Sequence, residues 1–363
     1  MRILHFYPKD NDMIARHVSM LAENMGLEAE HHLATDGNNA CTLLQGSHYD
    51  LLHLHGCWRT AMRKVVNLAV SKGTRLVLTP HGQLEPWEQE EDYWKEKLPK
   101  RLLFQQSIVR QSYAVLIQGD MERECMEKLR WNSRCTIIRN AIVTNSIQPQ
   151  EMARQTFAIY QKILDSNTLE LMEDETRAAL KNLLKAGITG DLRWLDDRTG
   201  IHDATEWRKV LCYAHQEHIT DIIRRGIRVM ELDAPDIDVE HIPYYLPDGY
   251  QEVESIQHAI GNQFASENDR LVATFRTIRH LLGNRQLRIS HLVELDQELR
   301  RHSCEEDLLA EMLHERKLWI TARRMMQLLA WKTGLTEGFM PMPALNDREA
   351  RRISRQMDNN LKI

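Results

Sequence analysis

The stretch "TRLVLTPHGQLEPW", residues 74–87, runs an apolar segment, Leu76-Val77-Leu78, into an abrupt stop at Thr79-Pro80-His81-Gly82. A histidine held between a proline and a glycine after a buried strand sits on a tight turn at the strand's carboxyl end. That edge is where open α/β sheets bind ligands. A neutral imidazole there can donate one hydrogen bond and accept another. Two readings of His81 follow, a residue that does chemistry and a residue that only shapes the turn. His53 and His55 alternate in "LLHLHG", so on a strand they point to the same face. Two such histidines are a candidate metal pair, but no third ligand is evident, and a structural role, one capping the sheet edge and the other packing under a helix, is the favoured reading. His215 and His218, in "AHQEH" with Glu217, lie one turn apart on a helical pattern. The zinc motif H-E-x-x-H is not present there, and a solvated helix edge explains the pair. No metal and no cofactor is expected.

These residues need a scaffold, and the first part of the chain supplies its pattern. Six short apolar runs recur at 2–6, 28–35, 49–56, 75–82, 113–119 and 135–141. Amphipathic stretches lie between them. Residues 13–26 place Ile14, Val18, Leu21 and Ala22 at helical spacing and stop on Gly26, and residues 62–73 likewise stop on a glycine. Strands buried on both faces and alternating with helices predict a Rossmann-like parallel sheet, an α/β domain over residues 1–145. From about 146 to 363 the pattern is mostly helical, with an acidic, proline-punctuated connector at 233–250 as an internal boundary. No second nucleotide-binding sheet is expected after residue 150.

The 363 residues carry a net charge of −5, with 42% hydrophobic and 27% charged residues. That balance argues against nucleic acid as a partner. Six cysteines without a CxxC pair read as reduced thiols, and no apolar run is long enough to span a membrane. The expectation is a cytoplasmic protein. Residues 305–334 are rich in Leu and Met, more apolar than one stripe of a lone helix requires. They predict burial against other helices or a protein partner docked through the helical region. Arg348, Arg351, Arg352 and Arg355 cluster near the end, either as a docking patch or as a solvated face.

The first 145 residues resemble the N-terminal, acceptor-side domain of GT-B glycosyltransferases of the family-four type. The resemblance is carried by "YDLLHLHGCW" (49–58), "LVLTPHGQLEPW" (76–87), the helix "YWKEKLPKRLLFQQSIVRQS" (93–112), "YAVLIQGDMERECMEKL" (113–129) and "CTIIRNAIV" (135–143), in matching order and spacing. It implies that His81 lies at the sugar-transfer site. It also implies that His55, Gly56, Trp58, Gly82, Trp87, Glu122 and Asn140 contact substrate; Trp58 and Trp87 either stack on a sugar ring or cover the sheet edge. The implied activity is transfer of a hexose from a nucleotide sugar to a glycan or lipid-linked acceptor. The pattern departs from the family in three places. "YPKDNDMIARH" stands where a glycine-rich turn usually cradles phosphate, and it adds Asp10 and Asp12. "RNAIV" lacks the usual glycine, and the C-terminal donor domain has no counterpart. The alternative expectation is therefore a catalytically inactive scaffold or regulatory partner of a glycosyltransferase in polysaccharide synthesis.

Overall fold

The six apolar runs become six strands: β1 (Arg2–Phe6), β2 (Glu30–Ala34), β3 (Leu51–His55), β4 (Arg75–Thr79), β5 (Ala114–Ile117) and β6 (Cys135–Ile137). They form one sheet in the order β2-β1-β3-β4-β5-β6. Every pairing is parallel. The computed structural model describes all residues except 91, 194, 196–199, 202, 247–253, 262 and 359–363. Part of the connector expected at 233–250 therefore lies outside the described residues. The chain divides into two compact units, one running from Met1 to Ser166 with a return segment that begins at Pro243. The other holds Asn167–Ile242 and the helices that follow.

Within the sheet unit, the period of two sorts the side chains. Leu4, Phe6, Leu52, Leu54, Leu76 and Leu78 share a core with Ala40, Cys41 and Leu44 of α2 (Gly37–Gly46) and with Met62, Val65 and Val66 of α3 (Thr60–Ser71). The residues between them, His5, His53, His55 and Thr79, point to the opposite face. Two further helices serve that face. α1 (Asp12–Met25) is capped by Asn11, whose side chain accepts the Ile14 N–H, and buries Ile14, His17, Val18, Leu21 and Met25 along one stripe. The second is α5 (Pro149–Leu164), which packs on α1, whereas α4 (Asp120–Leu129), after β5, places Met126 in the first core. The end of α5 is fixed by Arg75. This buried side chain donates to the carbonyls of Ile163 and Ser166 and lies 4.5 Å from the Tyr113 ring centroid. A cation there satisfies carbonyls that a helix terminus leaves without partners, and it opposes the helix dipole.

The other unit is helical. Its longer helices are α6 (Asp174–Thr189), α7 (Ala204–Gln216), α8 (Thr220–Val229), α9 (Glu267–Gly283), α10 (Ile289–Arg301), α11 (Glu306–Glu315) and α12 (Trp319–Lys332). Among the described residues no strand follows Ile137, as expected from the sequence. α6 and α8 cross backbone to backbone. A Cβ at Gly187 would collide with the Ile222 carbonyl, and one at Gly226 with the Leu183 carbonyl. The Leu- and Met-rich segment 305–334 breaks in two at Lys317, where φ is 56°. Leu309, Leu313, Met325, Met326, Leu328 and Leu329 are buried in this unit's own core, while Leu308 and Ile320 stay exposed. Among the described residues no helix is long and apolar enough to cross a membrane.

Candidate functional site

Six histidines converge at the carboxyl edge of the sheet. The register of β1 on β3 places His5 opposite His53, and that of β3 on β4 places His55 opposite Thr79. His81 follows β4 on its turn, His31 comes from β2, and His17 comes from the buried stripe of α1. His5, His53 and His55 are fully buried. Their hydrogen bonds form a line across the strands. Gln118 Nε2 lies 2.8 Å from His81 Nδ1, and His81 Nε2 lies 3.1 Å from His55 Nδ1. His55 Nε2 is 3.0 Å from His5 Nδ1, and His5 Nε2 is 2.9 Å from His31 Nδ1. The line thus steps from β5 through β4, β3 and β1 to β2. His53 stands beside it, with Nδ1 2.6 Å from the Tyr160 hydroxyl of α5 and Nε2 2.7 Å from the Thr79 hydroxyl.

Burial keeps these rings neutral. It lowers the pKa of His5, His53, His55 and His81 well below the ordinary value, and neighbouring imidazoles add to the effect. His17 is brought down to about 4 by burial, against a hydrogen bond with the Asn140 side chain that favours its charged form. His17 is 5% exposed, and its Nδ1 has no hydrogen-bond partner.

The turn that carries His81 is held tightly. His81 has φ 55° and Gly82 φ 79°, so a non-glycine residue is kept in the left-handed region. The buried Glu122 carboxylate, from the first turn of α4, accepts the N–H groups of Gly82 at 2.7 Å and Gln118 at 2.8 Å. Burial raises the pKa of Glu122 in spite of these two bonds. Gly56, at φ 82°, donates to the Thr79 carbonyl at 2.8 Å, and Gln83 Oε1 accepts the Cys57 N–H at 2.6 Å. A Cβ on Gly56 would press within 3.1 Å of Gln83 Oε1.

No family model, curated protein or solved structure matches the chain.

Of the residues singled out in the sequence, His55, Gly56, His81, Gly82, Glu122 and Asn140 meet at this one edge. Trp58 is buried beside them. Its indole N–H donates to the Gln83 carbonyl at 2.7 Å and its backbone N–H to Gln105 Oε1 at 2.8 Å. Lys97 Nζ lies 5.2 Å from the centroid of the Trp58 ring. Trp87 is 53% exposed on the short helix Pro86–Glu90. Asp10, in the segment after β1, pairs with Arg59 at 2.5 Å. His215 and His218 join no cluster able to hold a metal among the described residues. The sequence showed no third ligand beside His53 and His55. The structure adds His5 to that pair, and it sets His17 and His81 together with His55 in a second group. The available signal was their setting. His5 stands inside the apolar run of β1, and His17 lies three residues after Ile14 and four before Leu21, on the apolar stripe of α1.

Proposed function

We propose that the chain is a glycosyltransferase-like protein whose sheet unit handles a glycan or lipid-linked acceptor at its carboxyl edge. One observation supports this reading most. Four of the segments that carry the resemblance, widely separated in sequence, meet around one turn. His55 bonds His81, Glu122 holds Gly82, and Asn140 engages His17. The polar groups at that edge are oriented before any ligand arrives, the preorganisation that sugar recognition requires. The reaction class is hexosyl transfer from a nucleotide sugar, with His81 at the transfer site.

A second reading, a non-catalytic scaffold or regulatory partner in polysaccharide synthesis, is favoured by a specific observation. Both ring nitrogens of His81 are already engaged, by His55 and by Gln118. The segment after β1 points the same way: it carries no glycine to form a phosphate-cradling turn, and Asp10 there is paired with Arg59. Incubation of the full chain with a panel of UDP- and GDP-hexoses and mixed glycan acceptors separates the two. Release of nucleoside diphosphate that depends on acceptor and is lost in His81→Ala supports transfer. Acceptor binding with no turnover supports the non-catalytic reading. Neither binding nor turnover contradicts both.

A further inference from the structure

We propose that His17, His55 and His81 form a three-histidine centre for a divalent transition metal of the zinc class. Each offers one ring nitrogen, and the three nitrogens lie within 4.8 Å of one another. The facing nitrogens of His55 and His81 are 3.1 Å apart. Two nitrogens bound to one tetrahedral ion at about 2.0–2.1 Å stand about 3.3 Å apart, so this pair is already close to the spacing required. His17 supplies the independent observation. Its side chain is almost fully buried, yet Nδ1 has no hydrogen-bond partner. A buried polar atom without a partner costs free energy that a metal ion would recover. The His17 ring meets that of His81 edge-on, with centroids 4.9 Å apart.

The neighbouring triad His5, His53 and His55 is also compact, but it is the weaker candidate. His53 is held on both nitrogens by hydroxyls, of Tyr160 and Thr79, His5 bonds His31 and His55, and this triad has no unpartnered nitrogen such as His17 Nδ1. Those rings serve better behind the ligands than as ligands. Metal-bound histidines usually donate the other ring N–H to an oriented partner, which fixes the tautomer. His55 has His5 for that purpose, His81 has the Gln118 amide, and His17 has Asn140. For His81 the Gln118 side-chain oxygen must face Nδ1, which a half-turn of the amide provides. Burial keeps all three ligands neutral, as metal binding requires. His81 keeps partial exposure, so the centre lies within reach of solvent, as metal sites that accept a water or a substrate oxygen require. This inference uses two residues of the carbohydrate site but does not rest on that reading.

The probes are zinc and cobalt(II) ions added alone to the full chain after chelator treatment. Bound metal is counted by atomic absorption, and cobalt coordination is read from its visible spectrum. The expected result is one ion per chain in a tetrahedral spectrum. His17→Ala and His81→Ala each weaken binding at least tenfold, and the exposed His48→Ala leaves it unchanged. His81→Cys keeps a ligand at that position, so it retains the ion and adds a sulfur-to-cobalt charge-transfer band. That variant separates a lost ligand from a lost fold, and circular dichroism checks the fold of each alanine variant. No stoichiometric ion in the parent, or equal affinity in a folded His17→Ala and His81→Ala double variant, overturns the proposal. Because the readout is binding of the ion itself, it stands apart from any failure of sugar transfer.

Discussion

His55 Nδ1 and His81 Nε2 face one another at 3.1 Å, joining the last residue of β3 to the turn after β4. A neutral imidazole has one N–H and one lone pair. A row of imidazoles linked nitrogen to nitrogen is therefore satisfied only when every ring points the same way. From Gln118 through His81, His55 and His5 to His31, each contact joins an Nδ1 to a neighbour's Nε2. The metal-free protein should show one common tautomer for His81, His55 and His5. Long-range proton–nitrogen spectra of histidine-labelled protein report it directly. Mixed tautomers along the row would mean that the chain is broken. Zinc should place His55 and His81 in opposite tautomers, since both facing nitrogens must then offer lone pairs.

The helix crossing in the other unit gives a stability prediction. Gly226→Ala drives a methyl group into the Leu183 carbonyl, which is backbone and cannot swing aside. The expected loss is roughly 3 kcal/mol, at the high end for overpacking. Denaturant unfolding measures it. Gly283→Ala is the control, since nothing lies within 4 Å of its Cβ position, and an equal effect in both would refute the close crossing.

Arg75 makes a parallel case in the sheet unit. Arg75→Met keeps much of the packing but removes the donors to Ile163 and Ser166. Two helix-end carbonyls are then left buried without that cation, at a cost of roughly 3 kcal/mol. The measurement is the urea midpoint, and an unchanged midpoint would show that the guanidinium does not hold α5.

His291 carries a pH prediction. Burial holds its pKa down to about 4, and its Nδ1 accepts the Arg288 N–H at 3.0 Å at the start of α10. In the unfolded chain the value returns to about 6.5. Between those values the unfolded state binds the proton and the folded state refuses it. The contribution is complete above about pH 6.5 and is lost as pH falls toward 4, by roughly 3 kcal/mol. His291→Gln retains a side chain that can reach back to the helix start and cannot titrate. Urea unfolding at pH 7.5 and pH 4.5 should show a smaller loss in this variant than in the parent. Equal losses would contradict the assignment.

The strands were legible because a parallel sheet buries both faces, and runs such as "RILHF" and "RLVLT" then need no polar alternation. The helix stops at glycines were legible for the same kind of local reason. The histidine cluster was not. His5 and His53 are 48 residues apart, and they meet only through the register of β1 on β3. His17 joins them only because α1 lies over that face. The sequence marked His55 and His81 by motif, and it marked Glu122 and Asn140 through the resemblance. It gave no sign that Gln118 ends the row or that Tyr160, from a helix beyond β6, bonds His53. The break at Lys317 was missed too, because a left-handed non-glycine residue leaves little trace in an apolar pattern.

The central claim is that the carboxyl edge of the sheet recognises a saccharide acceptor, and calorimetry on the full chain tests it most directly. Neutral oligosaccharides and UDP- and GDP-hexoses are titrated into the parent and into His81→Ala. The account predicts that an oligosaccharide binds the parent and is weakened at least tenfold by the substitution. Heat from a nucleotide sugar separates the two readings of that edge: transfer requires it, and the non-catalytic reading, with Asp10 and Asp12 in place of a glycine-rich turn, predicts none. No oligosaccharide binding to the parent, or oligosaccharide binding indifferent to His81→Ala, would contradict it.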